Sequence, residues 1–390
     1  MTPLIVVALI AVLGAAYWEH GRGNLHKLKQ KIGTERMEAP VFQPGGQDPI
    51  VLTRTRLMGD TSPEFTSVTL LPGRGMNVLQ ISVFVPGRGE INLLDAPSME
   101  EAAQRMTGTG SDESGAESLA MGGAFEAPWA GRLPAGTLSP AVRKGRDVPS
   151  GSIGGEGGLL LAQPASDSDT SVLPDGGVAQ ATYVLNNEVT QWPSKTSLTV
   201  RVLLSSKSID LSMTARNTGD APEPMGLGWR PRFAVQGDRS RIRLRLPAET
   251  RVEVSEDGTP TGEMLPVAAT PYDFTSRQGV LLGNLALDDC FTGLRQNLLD
   301  SGPVAELSYP FEDLGLRFTS LTPSIRAMQV KSSPDANYLL LALRTNYPDP
   351  LGREWAKAGD RGIVILQPGE TLQWKVRLEV FTPSSDMHGR

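Results

Sequence analysis

Alternating apolar and polar residues, interrupted by glycine and proline, run through most of this 390-residue chain. Runs at 65–71 and 78–85 flank a Pro-Gly turn at 72–75, and the pattern returns at 198–204, 209–213 and 372–381. A period of two places every second side chain on one face of a strand. The 42 glycines and 30 prolines supply the turns between strands. The sequence therefore predicts a mostly β fold, a large antiparallel β-sandwich.

Few segments predict anything other than strands. Ser98 and Glu101 have the spacing of a capping box, which predicts a short helix that ends near Met106. Two polar, glycine-rich stretches, 107–118 and 151–158, are typical of exposed loops. Segment 239–245 alternates arginine with Ile242 and Leu244, and we interpret it as a strand with a solvated basic face.

The N-terminal region differs from the rest of the chain. An uncharged apolar run begins at Leu4 and ends at Trp18, and as a helix it would cover roughly 23 Å of a hydrocarbon core of about 30 Å. No basic residue precedes it, which favours an uncleaved membrane anchor over a signal peptide cut near Ala16. Basic residues after the run predict a cytoplasmic domain by the positive-inside rule, with a periplasmic one as the alternative.

The expected organisation is an anchor at 1–20, a juxtamembrane linker at 21–50, a sandwich domain at 51–384 and a tail at 385–390. A net charge of -6 offers no basic face for nucleic acid, so that partner is excluded. Cys290 is the single cysteine and cannot form an internal disulfide. The three histidines lie outside the expected domain, which excludes a Ser-His-Asp triad and a zinc site there. We expect no cofactor.

Six segments, in order, resemble the aldose 1-epimerase (galactose mutarotase) family across residues 64–382. They are VTLLPGRGMNVLQISVFVPGRGEINLL, GGAFEAPWAGRLPAG, ARNTGDAPEPMGLGWRPRF, LDDCFTGL, LRTNYPDPLGREW and PGETLQWKVRLEVF. The resemblance implies the galactose mutarotase sandwich and a reaction that opens and recloses a sugar ring. This reaction needs a base for the anomeric hydroxyl and an acid for the ring oxygen.

The resemblance implies a histidine acid in a His-Pro-aromatic-Phe motif, but this chain has Arg230 in the histidine position. A guanidinium stays charged near neutral pH and is a poor proton donor. A second family histidine aligns near Gly157. The family's glutamate base aligns with Leu343, or with Arg344 if the register slips by one residue. The sequence therefore predicts a catalytically degenerate member of the family.

Two positions that hold the sugar in the family persist. Arg132 matches its arginine, with Gly131 in place of an asparagine, and Asp288 matches its aspartate. Either these residues bind sugar hydroxyls, or they form an ion pair with each other that joins two loops.

Other candidate binding residues flank the matched arginines. Trp129 and Trp229 either stack on a sugar face or belong to the core. Arg230 and Arg232 together would favour an acidic sugar or a sugar phosphate. Carboxylates at Asp288, at Asp289 next to it, or at Glu126 are the remaining route to acid-base chemistry.

Three functions are compatible with these residues. The first is a noncatalytic protein that binds a sugar or an acidic glycan, and the second is an accessory subunit of a membrane complex. The third is an active epimerase with a rebuilt acid-base site. Loss of both histidine positions favours the first two.

Overall fold

The computed structural model describes residues 42–56, 59, 61–134, 154–186, 192–297, 299–357 and 361–384. The expected membrane anchor, most of the linker and the C-terminal tail lie outside the described residues. Among the residues that are described, no helix is long and apolar enough to cross a membrane. A compact unit begins at Phe42. Near its start, a 3₁₀ turn at Pro44–Gly46 is hydrogen-bonded to the chain after the first helix, from Gly45 N to Met106 O.

Strands dominate the described chain. The first twelve are β1 Ile50–Thr53, β2 Glu64–Leu71, β3 Asn77–Val85, β4 Gly89–Asn92, β5 Gly123–Glu126, β6 Arg132–Leu133, β7 Gly155–Glu156, β8 Asp167–Leu173, β9 Gly176–Leu185, β10 Thr196–Leu204, β11 Ser208–Asn217 and β12 Glu223–Met225. The others are β13 Gly228–Ala234, β14 Arg243–Arg245, β15 Thr250–Val254, β16 Pro260–Pro266, β17 Val280–Leu281, β18 Leu287–Thr292, β19 Val304–Tyr309, β20 Leu314–Ser320, β21 Ala327–Ser332, β22 Tyr338–Arg344, β23 Val364–Leu366 and β24 Thr371–Phe381.

Two large antiparallel sheets contain most of these strands. The first has the order β1-β2-β3-β5-β13-β22-β21-β18-β15-β16, with β4 paired to β3. The second has the order β17-β14-β19-β20-β24-β11-β10-β9-β8. β6 pairs with β7, and β12 pairs with β23. The prediction of a mostly β, antiparallel fold is confirmed.

The hydrophobic core lies between the two sheets. The Phe125 ring of the first sheet meets the Trp374 ring of the second edge-on, with centroids 6.3 Å apart, and Trp374 Nε1 donates to Leu343 O at 3.1 Å. Phe233 and Phe318 make a second contact of this kind at 5.3 Å. One continuous cluster of buried side chains therefore joins the inner faces of both sheets.

Helical structure is sparse in the described part. The predicted helix is present as α1, Met99–Arg105, and Ser98 Oγ accepts from Glu101 N as an N-cap. α2 is Glu117–Ala120, and six further 3₁₀ turns are Pro72–Arg74, Gly110–Asp112, Leu160–Ala162, Arg239–Arg241, Pro310–Glu312 and Arg353–Lys357.

Two segment predictions need correction. Segment 107–118, expected to be an exposed loop, is mostly exposed, but it contains a 3₁₀ turn at Gly110–Asp112 whose Asp112 is buried and pairs with buried Arg74. Segment 239–245 is only partly a strand, since it begins with a 3₁₀ turn in which Asp238 Oδ1 accepts from Ser240 N.

Candidate functional site

A cavity of about 360 Å³, here called the sheet cavity, lies against the first sheet. Its lining residues come from β6, β7, β13, β15, β18, β21, β22 and the connections beside them: Gly131, Arg132, Glu156, Arg230, Val254, Ser255, Glu256, Gly258, Asp288, Cys290, Gln329, Lys331, Leu340, Arg344 and Pro348. The structure therefore brings Arg132, Arg230 and Asp288 together, although they are far apart in the sequence.

Strand alternation decides which side chains reach the sheet cavity. On β22, Leu339, Leu341 and Leu343 belong to the core between the sheets, whereas Leu340 and Arg344 line the cavity. Successive side chains of a strand point to opposite faces. The side chain that reaches the cavity from the end of β22 is therefore Arg344, and Leu343 is a core residue.

Arg344 occupies a space bounded by two glycines and a carboxylate. Its Nε lies 3.3 Å from Oε2 of Glu126, which is fully buried at the end of β5. Gly228 stands between these two residues in the sheet, paired with both. A Cβ at Gly228 would lie 3.1 Å from Glu126 Oε2, and one at Gly131 would lie 2.6 Å from Arg344 Nη1. Both glycines make room for the guanidinium.

Arg230 is held between two glutamates. Its Nη1 contacts Glu156 on β7 directly and lies 3.9 Å from Glu126 Oε1. Burial opposes the charge of Arg230, but the two carboxylates outweigh burial and raise its pKa above the ordinary value. Burial likewise opposes the charge of Glu156, and Arg230 overrides it, so the pKa of Glu156 is lowered. Both groups stay ionised, and Arg230 is unsuited to donate a proton.

Asp288 is exposed in the sheet cavity and is bound from the neighbouring strand. Its Oδ1 accepts from Gln329 Nε2 at 2.9 Å, and its Oδ2 accepts from Lys331 Nζ at 2.8 Å. Asp288 and Lys331 are direct cross-strand partners. The alternative ion pair between Asp288 and Arg132 is wrong, because the cation that pairs with Asp288 is Lys331 on β21.

Arg132 projects from the short β6–β7 ribbon and is exposed. Its backbone oxygen accepts from Asp349 N at 3.2 Å, which ties the ribbon to the turn that carries Pro348 of the cavity wall. Burial, together with the neighbouring Glu354 carboxyl, raises the pKa of Asp349 to about 7. Asp349 is a buried carboxyl behind the wall, not one of its lining residues.

The remaining predicted side chains lie away from the sheet cavity. Trp129 is 1% exposed and packs on Trp192 with ring centroids 5.4 Å apart, and Trp229 is 1% exposed and donates to Gly123 O at 3.1 Å. Neither indole offers a face to a sugar. Arg232 pairs with Asp95 at 2.6 Å and stacks on a tyrosine ring, so it adds no charge to the cavity.

Gly157, the position aligned with the second histidine, has no room for a side chain. Its φ is +78°, and a Cβ there would lie 2.8 Å from side-chain carbons of both Leu119 and Leu161. The Gly157 N–H donates to Gly131 O at 2.9 Å. This glycine joins two loops at a point that leucine side chains already fill.

The carboxylates considered for acid-base work are separated. Asp288 and Asp289 follow each other on β18 and point to opposite faces, and Asp289 pairs with Arg251 at 2.9 Å. Glu126 accepts from Gly131 N at 3.1 Å and contacts Arg344. Among the described residues no cluster of His, Cys, Asp or Glu could hold a metal ion.

Sequence reasoning missed Glu156, Gln329 and Lys331 as cavity residues. Lys331 is identifiable only after β18 and β21 are paired, since their register sets it opposite Asp288.

Cys290 was noted only for its lack of a disulfide partner, but its thiol borders the cavity and burial raises its pKa to about 12. Such a thiol is a poor nucleophile near neutral pH.

Comparison with known proteins gives a consistent fold. A galactose mutarotase-like protein from Clostridium acetobutylicum aligns over 85% of this chain and 98% of its own, with a TM-score of 0.66 and 13% identity. A GalM/aldose epimerase homologue from C. elegans covers 82% and 96%, with a TM-score of 0.62 and 16% identity. A putative aldose 1-epimerase from Escherichia coli K12 covers 85% and 99%, with a TM-score of 0.58 and 15% identity.

The sequence comparisons agree with the structural ones. A family model described as aldose 1-epimerase matches residues 171–379, more than half of the chain. No curated protein sequence matches significantly. The likeness to the solved structures, at these identities, establishes the galactose mutarotase-like fold.

Proposed function

The chain belongs to the aldose 1-epimerase family, and from that premise we propose that its sheet cavity binds a neutral sugar without catalysing anomer exchange. One observation carries the proposal: Arg230 and Arg344, the side chains nearest the expected acid and base positions, are cations held in ion pairs with Glu156 and Glu126. Neither can exchange a proton with a sugar near neutral pH.

Groups suited to hydroxyl binding support the binding half of the proposal. Asp288, Gln329 and Lys331 form one hydrogen-bonded set on the cavity surface, and Arg132 stands exposed on the ribbon beside them. Carboxylate, amide and ammonium groups supply both donors and acceptors, which a polyhydroxylated ring requires. The volume of about 360 Å³ lies in the range of small-molecule sites.

The balance of charge favours a neutral ligand over an acidic one. Four cationic side chains line the sheet cavity, and three anionic ones line it with them, while Glu126 lies beneath. The lining cations are Arg132, Arg230, Lys331 and Arg344, and the lining anions are Glu156, Glu256 and Asp288. Arg232, which suggested an acidic sugar, pairs with Asp95 instead. Little uncompensated positive charge remains for a carboxylate or phosphate.

Calorimetry and polarimetry test the two halves separately. We expect glucose or galactose to bind more tightly than glucuronate or a hexose 6-phosphate, with mutarotation rates equal to those of buffer. Asp288→Ala should weaken binding at least fivefold, because it removes two hydroxyl-binding contacts. Asp210→Ala, which breaks an ion pair with Arg377 on the other sheet, is the matched control and should bind as wild type. No binding at millimolar sugar contradicts the proposal.

An active epimerase with a rebuilt site is the second candidate, and Asp349 is the observation in its favour. A carboxyl with a pKa of about 7 can exchange a proton near neutral pH, and this one lies directly behind Pro348 and Arg132. Mutarotation above the buffer rate that is lost in Asp349→Asn would establish this function and overturn the noncatalytic one.

A membrane tether is a separate part of the proposal. The apolar run from Leu4 to Trp18 supports it, and a domain held at a membrane suits a sugar-binding or accessory subunit. We expect the full chain to sediment with membranes and to resist extraction by high salt, and a chain lacking residues 1–41 to stay in the supernatant. Gentle detergent extraction followed by size analysis shows whether a partner protein accompanies it.

A further inference from the structure

A second cavity of about 490 Å³, here called the loop cavity, adjoins the sheet cavity. Its lining residues are Glu113, Ser114, Ala116, Leu119, Ala120, Gly154, Gly155, Glu156, Gly158, Leu159, Ala162, Gln163 and Arg230. Glu156 and Arg230 line both cavities, so their ion pair forms the shared wall.

The ion pair that forms the shared wall is partly exposed to solvent. The Glu156 side chain is 49% exposed, whereas that of Arg230 is 14% exposed. Arg230 is therefore the buried end of the pair, and Glu156 is its solvent-facing end. Gly155, the residue before Glu156 on β7, has open space where a side chain would stand. A ligand seated in the sheet cavity can therefore extend over the wall without breaking the ion pair.

The two cavities differ in chemistry. Apart from Glu156 and Arg230, five of the thirteen residues that line the sheet cavity are charged. The corresponding residues of the loop cavity are five aliphatic side chains, including Leu119 and Leu159, three glycines, and the polar residues Glu113, Ser114 and Gln163. None of the described residues that line the loop cavity is aromatic, so it offers no ring on which a second sugar would stack. Its surface suits an apolar group.

We propose that the loop cavity binds the apolar aglycone of a glycoside whose sugar occupies the sheet cavity. This inference rests on the proposed function, since the sugar must first bind beside Asp288. A glycoside has no free anomeric hydroxyl and cannot undergo ring opening. A glycoside ligand therefore needs no acid or base, in keeping with the ion-paired Arg230 and Arg344.

A homologous series of ligands tests this inference by calorimetry. The probes are glucose, galactose and the methyl, butyl and hexyl glycosides of both sugars, kept below their aggregation limits. Each methylene that enters the loop cavity should tighten binding by up to about fourfold, as expected for burial of one methylene. Ala116 lines the loop cavity at the exposed start of α2, so we expect the indole of Ala116→Trp to occupy the cavity. We expect this variant to bind methyl glycosides as wild type but to show no chain-length dependence.

The outcomes separate this inference from the proposed function. Gln104→Trp, an exposed position on α1 that does not line the loop cavity, is the control and should retain the chain-length dependence. Equal affinities for methyl and hexyl glycosides in wild type would overturn the aglycone site and leave sugar binding intact. A dependence that persists in Ala116→Trp would also overturn it, because the chain would then bind elsewhere. Failure of every probe, including free sugars, overturns both proposals.

Discussion

Glu126→Ala removes the carboxylate that compensates Arg344 in the floor of the sheet cavity. Glu126 is 0% exposed and the Arg344 side chain is 4% exposed, so water cannot replace the lost partner without a rearrangement. The change also removes the acceptor of the Gly131 N–H. Arg230 loses a carboxylate 3.9 Å away but keeps Glu156. The main consequence is an uncompensated buried guanidinium.

The expected loss follows from general values for buried pairs. Removing one partner of a buried ion pair costs about 3–5 kcal/mol, because the remaining charge stays out of water. A buried donor left without an acceptor costs about 1–3 kcal/mol, and the two losses overlap because the same carboxylate serves both groups. We expect Glu126→Ala to lower the free energy of unfolding by about 4 kcal/mol.

Urea denaturation followed by tryptophan fluorescence measures this loss. The double variant Glu126→Gln/Arg344→Met keeps an acceptor for Gly131 and removes both charges, so it should recover most of the stability. Asp210→Ala breaks a partly exposed pair with Arg377 and should cost no more than about 1 kcal/mol. A Glu126→Ala protein within about 1 kcal/mol of wild type, or a double variant less stable than Glu126→Ala, would refute the reasoning.

Three further predictions concern single residues. Burial raises the pKa of Glu223 from 4.5 to about 7, so the native state holds a proton that the unfolded chain has released, and stability should fall as pH rises through this window. Glu223→Gln stays neutral, and its unfolding free energies at pH 5 and pH 8 should differ less than those of wild type. Gly228→Ala, with a Cβ 2.7 Å from Ala130 Cβ, should cost about 1–3 kcal/mol in urea denaturation. Cys290, 3% exposed with a pKa of about 12, should react with a thiol reagent at pH 8 far more slowly in the native protein than in urea.

The sequence was a good guide to the sheets and to part of the site. Alternation predicted the strands because inward side chains must be apolar wherever two sheets share a core. The resemblance identified Arg132, Arg230 and Asp288, and all three line one cavity. Both strand alternation and motif matches can be identified from residues that are close together in the sequence.

The residues that contact these side chains could not be predicted from the sequence alone. Lys331 meets Asp288 because of a strand register that no local pattern encodes. The choice between Leu343 and Arg344 at the end of β22 required knowing which face of the strand meets the core. The sequence left both stacking on a sugar and packing in the core open for Trp229, and its burial places it in the core.

The packing around Arg344 also limits how such a site can change. An Arg344→Glu substitution would set a second carboxylate against buried Glu126, and a larger residue at Gly131 collides with the guanidinium while Arg344 is present. Each of these single substitutions therefore gives a destabilised protein. Substitutions at positions 126, 131 and 344 should therefore be strongly epistatic, so that a change tolerated in one background is destabilising in another.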